Sequence, residues 1–288
     1  IAAGCLAIAE ARLHLAGASQ EVLERKVLAL LVSPLLGTGR WDGLRQPRGE
    51  LLGELCGYPY MPSTMDLYFR ELKYLGVSST WWESHARLVE GITRGWGDPR
   101  RAAVAYVDAS SKEVHTQLFS QATKVSQRNQ VVPGLDVVAV HSGCGVPLFQ
   151  VTYSGRAPLV TEVPKVLKAL KPALGASAVG RIVVIDAEGN SVLFLLGLEQ
   201  ESPARAWVTR LRPSMLKGKK IFNRSNFCAY RNGDRVRTGL VDLSIPKSDA
   251  KFRVRVIEIK RRGKSSMTYL GASTLLKEQE WKAAPVAD

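Results

Sequence analysis

The sequence predicts an α/β protein, in which a mixed β-sheet is flanked by helices and preceded by a helical domain. Two apolar runs, at 102–107 and 182–185, have the composition of buried strands, and an aspartate follows each of them. Segments with helical spacing of apolar residues occur at 158–174 and 191–200, so strands and helices alternate along this part of the chain. Such alternation is typical of a sheet that is covered by helices.

Residues 1–100 are expected to form the helical domain, because apolar residues recur there at helical spacing. Within this domain, a short helix predicted at 48–58 is followed by a turn and a longer helix at 63–77. The packed face of the longer helix is predicted to contain three leucines: Leu67, Leu72 and Leu75. Arg70 and Lys73 are predicted to share its solvent face. This arrangement is the helix-turn-helix pattern of DNA-binding proteins, and a purely structural helical bundle is the alternative.

Residues 101–212, with a return at 271–288, are expected to form the core of the α/β fold. Its strands are predicted at 102–111, 112–121, 145–153, 181–185 and 204–212. The stretch 125–136 contains Pro133 and is predicted to be a loop with short extended pieces. The helix at 158–174 is predicted to pack through four apolar residues: Val163, Val166, Leu167 and Leu170.

Residues 213–270 are predicted to form a basic, β-rich subdomain inserted into this core, with a hairpin turn at Asn232 and Gly233. From 210 to 264 the sequence has 17 Lys or Arg against 4 Asp or Glu, which accounts for nearly all of the net charge of +14. Such an excess predicts a polyanionic partner. Nucleic acid is favoured over a membrane surface, because 253–264 alternates with the period of a strand.

The four cysteines lie far apart without a CxxC pair, and the four histidines are scattered. Neither a disulfide framework nor a zinc site is expected, and a reducing cytoplasm is the predicted location. The Ala-rich N-terminus is interrupted by charged residues, which is typical of an amphipathic helix and not of a signal peptide. No apolar run reaches the length of a membrane span, so no membrane association is expected.

Asp108 and Asp186 are the candidate catalytic and metal-binding residues. Each follows an apolar strand, and a carboxylate at such a position is costly unless a metal ion or hydrogen bonds hold it. A pair of such carboxylates predicts a site for Mg²⁺ or Mn²⁺, which prefer carboxylate and water oxygens. Two of these ions about 4 Å apart can hold the attacking and leaving oxygens of a phosphoryl transfer. The alternative for Asp186 is that it caps the helix that follows.

Four segments carry a resemblance to a known family. AYVDASSKEV, PGLDVVAVHSGCGVPLFQVT, IVVIDAEGNS and WVTRLR follow one another in the sequence. In this order they resemble the catalytic domain of DDE transposases of the bacterial cut-and-paste type: its first-acid strand, the segment before its third strand, its Asp-x-Glu-Gly motif at the second acid, and its fifth strand. The resemblance covers about residues 101–288, and it implies a ribonuclease H-like mixed sheet with a β-rich insertion.

By this resemblance, Asp108 and Asp186 are the first two of three metal-binding acids, and two Mg²⁺ or Mn²⁺ ions bind in the active complex. The third acid, a Glu on a helix after the insertion, is not found and is expected beyond Asp288. Three other glutamates fit less well, because they lie in the insertion or before the expected helix: Glu258, Glu278 and Glu280. The chain departs from the family at Ala109, where a Gly is usual, and at Ala187, where a basic residue is usual.

The implied function is metal-dependent cleavage and strand transfer at transposon ends, with duplex DNA of the ends and the target as the partner. Basic residues are expected to bind its phosphates: Arg70, Lys73, Lys124, Arg128, Arg210, Arg212, Lys217, Lys219, Lys220, Arg261 and Arg262. Such contacts give affinity and salt dependence but little sequence information. A homodimer is expected in the DNA complex, which would associate with the bacterial nucleoid.

Three alternatives stay open at this point. A ribonuclease H-like nuclease would cut RNA–DNA hybrids or branched DNA without joining strands. A catalytically defective or domesticated relative would only bind DNA. A non-enzymatic RNA-binding protein is the third alternative, although the basic segment has few aromatic residues on which unpaired bases could stack.

Overall fold

The computed structural model describes residues 20–35, 48–57, 60–74, 82, 85–87, 89, 91, 103–114, 122–125, 130–154, 158–174, 180–222 and 226–276. Four residues about which the sequence makes a prediction lie outside this part of the chain: Leu75, Arg128, Glu278 and Glu280. The chain divides into two compact units, Ile1–Leu88 and Val89–Asp288. None of the described helices combines the length and the apolar character needed to cross a bilayer.

The first unit contains helices α1 (Gln20–Leu35), α2 (Arg48–Cys56) and α3 (Pro62–Tyr74). Proline suits the first position of α3, because the N–H group that it lacks would have no partner inside the helix. The packed face predicted for α3 was wrong at Leu67, which is 57% exposed.

Met65 and Tyr68, three positions apart, form the buried face of α3 instead. Arg70 and Lys73 are exposed, as predicted. The helical pattern of the sequence is therefore confirmed over 20–35, 48–56 and 62–74, while the packed face of α3 differs from the prediction at Leu67.

The second unit is an α/β structure. Its strands are β1 (Val104–Glu113), β2 (Ala122–Val125), β3 (Gln130–Ser142), β4 (Pro147–Ser154), β5 (Ile182–Ile185), β6 (Ala206–Arg210), β7 (Cys228–Ala229), β8 (Arg235–Ser244), β9 (Lys251–Lys260) and β10 (Met267–Ser273). Its helices are α4 (Leu159–Leu174), α5 (Val192–Gln200) and α6 (Pro213–Leu216).

These ten strands form one mixed sheet in the order β2-β3-β1-β5-β6-β10-β9-β8-β7, and β4 also pairs with β3. The neighbours β1, β5 and β6 are parallel, whereas the other described pairs are antiparallel. An antiparallel group of β4, β3 and β1 thus continues into the parallel strands β5 and β6. This arrangement is consistent with the ribonuclease H-like core expected from the sequence.

Helices α4 and α5 supply apolar cover for the sheet. α4 contacts β1, β3 and β4, and α5 contacts β6. The four residues predicted to pack from α4 are all buried: Val163, Val166, Leu167 and Leu170. Because each such side chain contributes about 1.5–3 kcal/mol when it is buried, this face holds α4 on the sheet.

Two predictions about the strands were wrong. The stretch 125–136 was predicted to be a loop with short extended pieces, but residues 130–136 belong to β3, which runs through Pro133 without a break. Proline lacks an N–H group, but the Pro133 carbonyl accepts a hydrogen bond from the Val114 N–H at 3.1 Å, so the pairing continues. The second strand was predicted to begin at Lys112, but Lys112 and Glu113 belong to β1, and the part of that prediction at 115–121 lies outside the described residues.

The basic segment 213–270 is rich in strands, as predicted, but these strands extend the core sheet and do not form a sheet of their own. Leu270 of β10 pairs with Arg210 of β6, and β9, β8 and β7 follow outward. Pairing with β10 satisfies backbone groups that β6 would otherwise leave unpaired. Asn232 and Gly233 adopt positive φ between β7 and β8, which confirms the hairpin turn.

Residues 211–222, here called the strap, lie against β10 and β8. A Cβ atom added at Gly271 would lie 2.7 Å from the Leu211 side chain, and one at Gly239 would lie 2.4 Å from the Ile221 carbonyl oxygen. Lys219 of the strap also donates a hydrogen bond to the Asp242 carbonyl of β8 at 2.8 Å. The two glycines therefore leave the space that the strap occupies.

Gly239→Ala is expected to lower the free energy of unfolding by about 1–3 kcal/mol, because its methyl group would collide with the Ile221 backbone. Gly197→Ala in α5 is the matched control, since nothing apart from its own chain neighbours and helix backbone lies within 4 Å of its Cβ position. Alanine favours a helix, so this control is expected to gain about 0.5–1 kcal/mol. Urea unfolding of both variants measures the difference, and equal stabilities would contradict the contact at Gly239.

Glu162 and Tyr153 connect α4 to β4 through a buried carboxylate. Glu162 is 6% exposed, accepts a hydrogen bond from Lys165 at 2.9 Å and also interacts with the Tyr153 side chain. Burial by itself would raise the pKa of Glu162, but the interactions with Lys165 and Tyr153 outweigh it and lower the pKa. Burial, followed by the interaction with Glu162, raises the pKa of Tyr153 to about 12.

The stability contributed by this pair is expected to vary with pH at both extremes. Because the folded state favours neutral Tyr153, that contribution is full below pH 10 and is lost as the pH rises to about 12. The contribution of ionised Glu162 is present above its usual pKa of 4.5 and is lost as the pH falls through its lowered value. Glu162→Gln is expected to lower the pKa of Tyr153 in an ultraviolet titration, whereas the exposed Asp249→Asn should leave it unchanged.

Candidate active site

Asp108 and Asp186 lie side by side on neighbouring strands of the sheet. β1 and β5 are parallel, and Val107 is paired with Ile185, so the next residue on each strand is an acid. Neighbouring strands lie about 4.8 Å apart, and the alternation of side chains directs both carboxylates to the same face. Both side chains are exposed, and both line the same cleft.

The turn after β5 is stabilised by hydrogen bonds to the backbone carbonyl of Asp186, and not by the Asp186 carboxylate. The Asp186 carbonyl accepts hydrogen bonds from the Gly189 N–H at 2.9 Å and from the Thr209 hydroxyl at 3.1 Å. A short 3-10 turn, Ala187–Gly189, begins here without a side-chain cap from Asp186, while the Ser191 hydroxyl caps α5. The capping alternative for Asp186 was therefore wrong, and the carboxylate stays available to a ligand.

The cleft has a volume of about 930 Å³. It is lined by β1, β3, β5, β6 and β10, together with the turn between β9 and β10. Besides the two aspartates, the lining includes three cations: Arg210, Arg261 and Lys264. It also includes further polar side chains: His141, Thr209, Ser266 and Thr268. Carboxylates and cations thus share one cavity, which suits a ligand that carries negative charge and binds together with a divalent cation.

Asp108 and Asp186 have no third acidic partner within the described residues. No group of three or more His, Cys, Asp or Glu side chains that could hold a metal ion occurs in that part of the chain. Glu258 is buried and forms an ion pair with Arg237. Glu258 also interacts with Tyr269, whose pKa is raised first by the burial of Tyr269 itself and then by this interaction. Glu258 therefore has a structural role, in agreement with its low rank from the sequence.

Arg237 is held between two aromatic rings of the basic segment. Its guanidinium carbon lies 4.4 Å from the ring centroid of Phe222 and 4.5 Å from that of Phe227. These cation–π contacts, with the Glu258 ion pair, fix the Arg237 side chain. They also occupy the two rings, which are then poorly placed to stack on unpaired bases.

The basic residues predicted to contact DNA do not share one environment. Arg210 and Arg261 line the cleft. Lys219 is engaged with β8, as described above, and Arg262 packs against Gly233 in the turn before β8. Five others are exposed: Arg70, Lys73, Arg212, Lys217 and Lys220. Lys124 lies in β2, and its side chain is outside the description.

Five polar residues that line the cleft were not predicted from the sequence: His141, Thr209, Lys264, Ser266 and Thr268. Lys264 could have been found, because Gly263, which adopts φ +74, marks a turn next to it within the basic segment. Thr209 and His141 carried no local signal. Their positions depend on the pairing of β6 with β5 and of β3 with β1, which bring distant parts of the chain together.

Comparison with known proteins gives limited structural similarity. No protein-family model matches the sequence, and no curated protein sequence matches it. The chain is similar to piggyBac transposase, solved as a synaptic complex with hairpin DNA, with 14% identity and a TM-score of 0.41, over 96% of this chain and 59% of the transposase. It is also similar to Marinitoga piezophila Argonaute in complex with guide RNA, with 9% identity and a TM-score of 0.28, over 64% of this chain and 26% of the Argonaute. Scores this low do not establish a family.

Proposed function

We propose that this protein is a DNA-processing enzyme that cleaves and joins phosphodiester bonds as a DDE-type transposase. One observation carries the proposal: Asp108 and Asp186 follow a paired position on neighbouring parallel strands and open into a cation-lined cleft. Nucleic acid supplies the polyanion that the basic charge requires, and the paired carboxylates supply a place for a divalent metal ion.

The chemistry of the donors fits Mg²⁺ or Mn²⁺. Both acids are exposed in the cleft, and the turn that positions Asp186 is held through its backbone carbonyl. Asp108 and Asp186 would hold the metal, with a third acid supplied from outside the described residues. When bound, the metal ions would lower the pKa of a water or a 3′-hydroxyl and stabilise the leaving oxygen.

The residues of this chain would hold and orient the substrate during the reaction. Arg210 and the other cleft cations neutralise phosphate oxygens beside the reacting bond. In cleavage, the oxygen of a water forms a bond to the phosphorus of the phosphodiester as the bond from phosphorus to the 3′ oxygen breaks. The products are a 3′-hydroxyl and a 5′-phosphate. In strand transfer, that hydroxyl attacks a phosphodiester of the target DNA. No covalent bond to the protein is needed.

The first unit is proposed to read the sequence of the DNA ends, with Arg70 and Lys73 of α3 as contacts. The basic strands of 213–270 are proposed to hold the DNA backbone. Two copies of the chain are expected to assemble on two DNA ends.

A second candidate is a defective or domesticated relative that binds DNA without cutting it. It is favoured by the absence of a third carboxylate near Asp108 and Asp186 among the described residues. An RNA-binding role is disfavoured, because Phe222 and Phe227 are stacked on Arg237.

The test is a cleavage assay with the protein from its complete gene, on duplex DNA carrying the ends of its native element. Strand breaks that require Mg²⁺ or Mn²⁺, followed by joining to a target duplex, are expected. Breaks without joining would indicate a nuclease. If the protein bound DNA but produced no strand breaks, and calorimetry detected no metal binding, the result would indicate the defective relative. That outcome would contradict the proposal.

A further inference from the structure

The turn between β9 and β10 contributes cations to the same cleft as the two acids. Arg261, Lys264 and Ser266 of this turn line the cleft together with Asp108 and Asp186. The turn belongs to the segment predicted to be a separate insertion. The pairing of β10 with β6 brings the turn to the site, because Leu270 of β10 is paired with Arg210 of β6, which lines the cleft.

The backbone of this turn presents the two cations to solvent. Gly263 adopts φ +74, and the Lys264 N–H donates a hydrogen bond to the Arg261 carbonyl at 3.2 Å. A side chain at position 263 would be strained in this conformation, so glycine allows the tight reversal. Arg261, Lys264 and Ser266 are exposed.

The cations of the turn differ from several other cations of the basic segment, whose side chains have acidic or carbonyl partners. Arg237 is paired with Glu258, Arg253 is paired with Asp242, and Lys219 donates to a backbone carbonyl. Among the described residues, neither Arg261 nor Lys264 has an ion pair or a side-chain hydrogen bond. Their charges are therefore available to a ligand in the cleft.

We propose that the turn 261–266 is a phosphate-binding site for the backbone of duplex DNA, in the same cleft as the two acids. Arg261 would bind phosphate oxygens in a bidentate manner, Lys264 would add a point charge, and Ser266 would donate a hydrogen bond. The acids repel a phosphate unless metal is bound, so cations in the same cleft would hold the DNA strand beside them. This inference rests on the proposed function for the identity of the partner.

The test measures the affinity of the full chain for a labelled duplex by fluorescence anisotropy, without divalent metal, over a series of salt concentrations. Arg261→Ala and Lys264→Ala are each expected to weaken binding about tenfold and to reduce the salt slope by about 0.9. Arg261→Lys is expected to keep the salt slope but to recover only part of the affinity, because lysine cannot bind in a bidentate manner. Lys168→Ala is the matched control, since Lys168 is exposed on α4, outside the basic segment.

The control is expected to bind as the unchanged protein does, and unfolding midpoints will show that all variants fold. Wild-type affinity and salt slope in both turn variants would overturn the inference. If the turn variants weakened the binding of single-stranded RNA as much as the binding of duplex DNA, the assignment to duplex DNA would be overturned.

A different experiment, cleavage by an active-site variant, tests the proposed function. Undiminished cleavage by Asp108→Asn would overturn the catalytic assignment whatever the turn variants do. Loss of cleavage by Asp108→Asn with unchanged binding by the turn variants would leave the function intact and remove the phosphate site.

Discussion

Asp108→Asn and Asp186→Asn are each expected to reduce metal-dependent DNA cleavage by about a thousandfold or more in the protein from its complete gene. Asparagine keeps the shape of the side chain but removes the negative charge that a divalent cation requires. Because both side chains are exposed, the substitutions should change the stability of the fold by no more than about 0.5 kcal/mol. Single-turnover cleavage of a labelled duplex measures the effect.

DNA binding by the same variants separates a catalytic role from a structural one. Metal-free binding should stay the same or become tighter, because a charge that repels phosphate has been removed. Asp249→Asn is the control, since Asp249 is an exposed acid in the turn between β8 and β9 and makes no contribution to the cleft. Full metal-dependent cleavage by either active-site variant would show that the site has been assigned to the wrong residues.

Trp207→Ala is expected to lower the free energy of unfolding by about 3–5 kcal/mol. Trp207 lies in β6, pairs with Val183 of β5 and is 0% exposed. Its ring packs against Phe252 of β9 at a centroid distance of 6.0 Å, so its loss would leave a cavity between the core strands and the basic strands. Urea denaturation with an unchanged m value measures this effect.

Trp207→Phe separates the packing of the ring from its hydrogen bond. The indole N–H donates to a carboxylate oxygen of Glu199 at 3.0 Å, and burial raises the pKa of Glu199 despite hydrogen bonds with Ser273 and Trp207. Phenylalanine keeps part of the volume, so a smaller loss than in Trp207→Ala is expected. Equal losses in the two variants would assign the whole effect to the hydrogen bond.

The acids were predicted from local sequence because their signal is local. An apolar run that ends on an acid is visible at Asp186 and at Asp108 without knowledge of any other part of the chain, and the run before Asp186 is β-branched throughout. The apolar spacing of α4 was predicted for the same reason, since a helix repeats within the chain. The strand through Pro133 was missed because the hydrogen bond that continues its pairing comes from Val114, which follows β1 and lies 19 positions earlier in the chain.

The sequence by itself determined the strands β1 and β5 before the acids, the helices α4 and α5, the basic character of 210–264 and the two candidate acids. These properties follow from residue type and spacing along the chain. Only the tertiary structure decided that the basic strands extend the core sheet, and that the turn at Arg261 and Lys264 meets the acids in one cleft. That meeting depends on the pairing of β10 with β6, and backbone hydrogen bonds between distant strands are nearly independent of the side chains that a sequence displays.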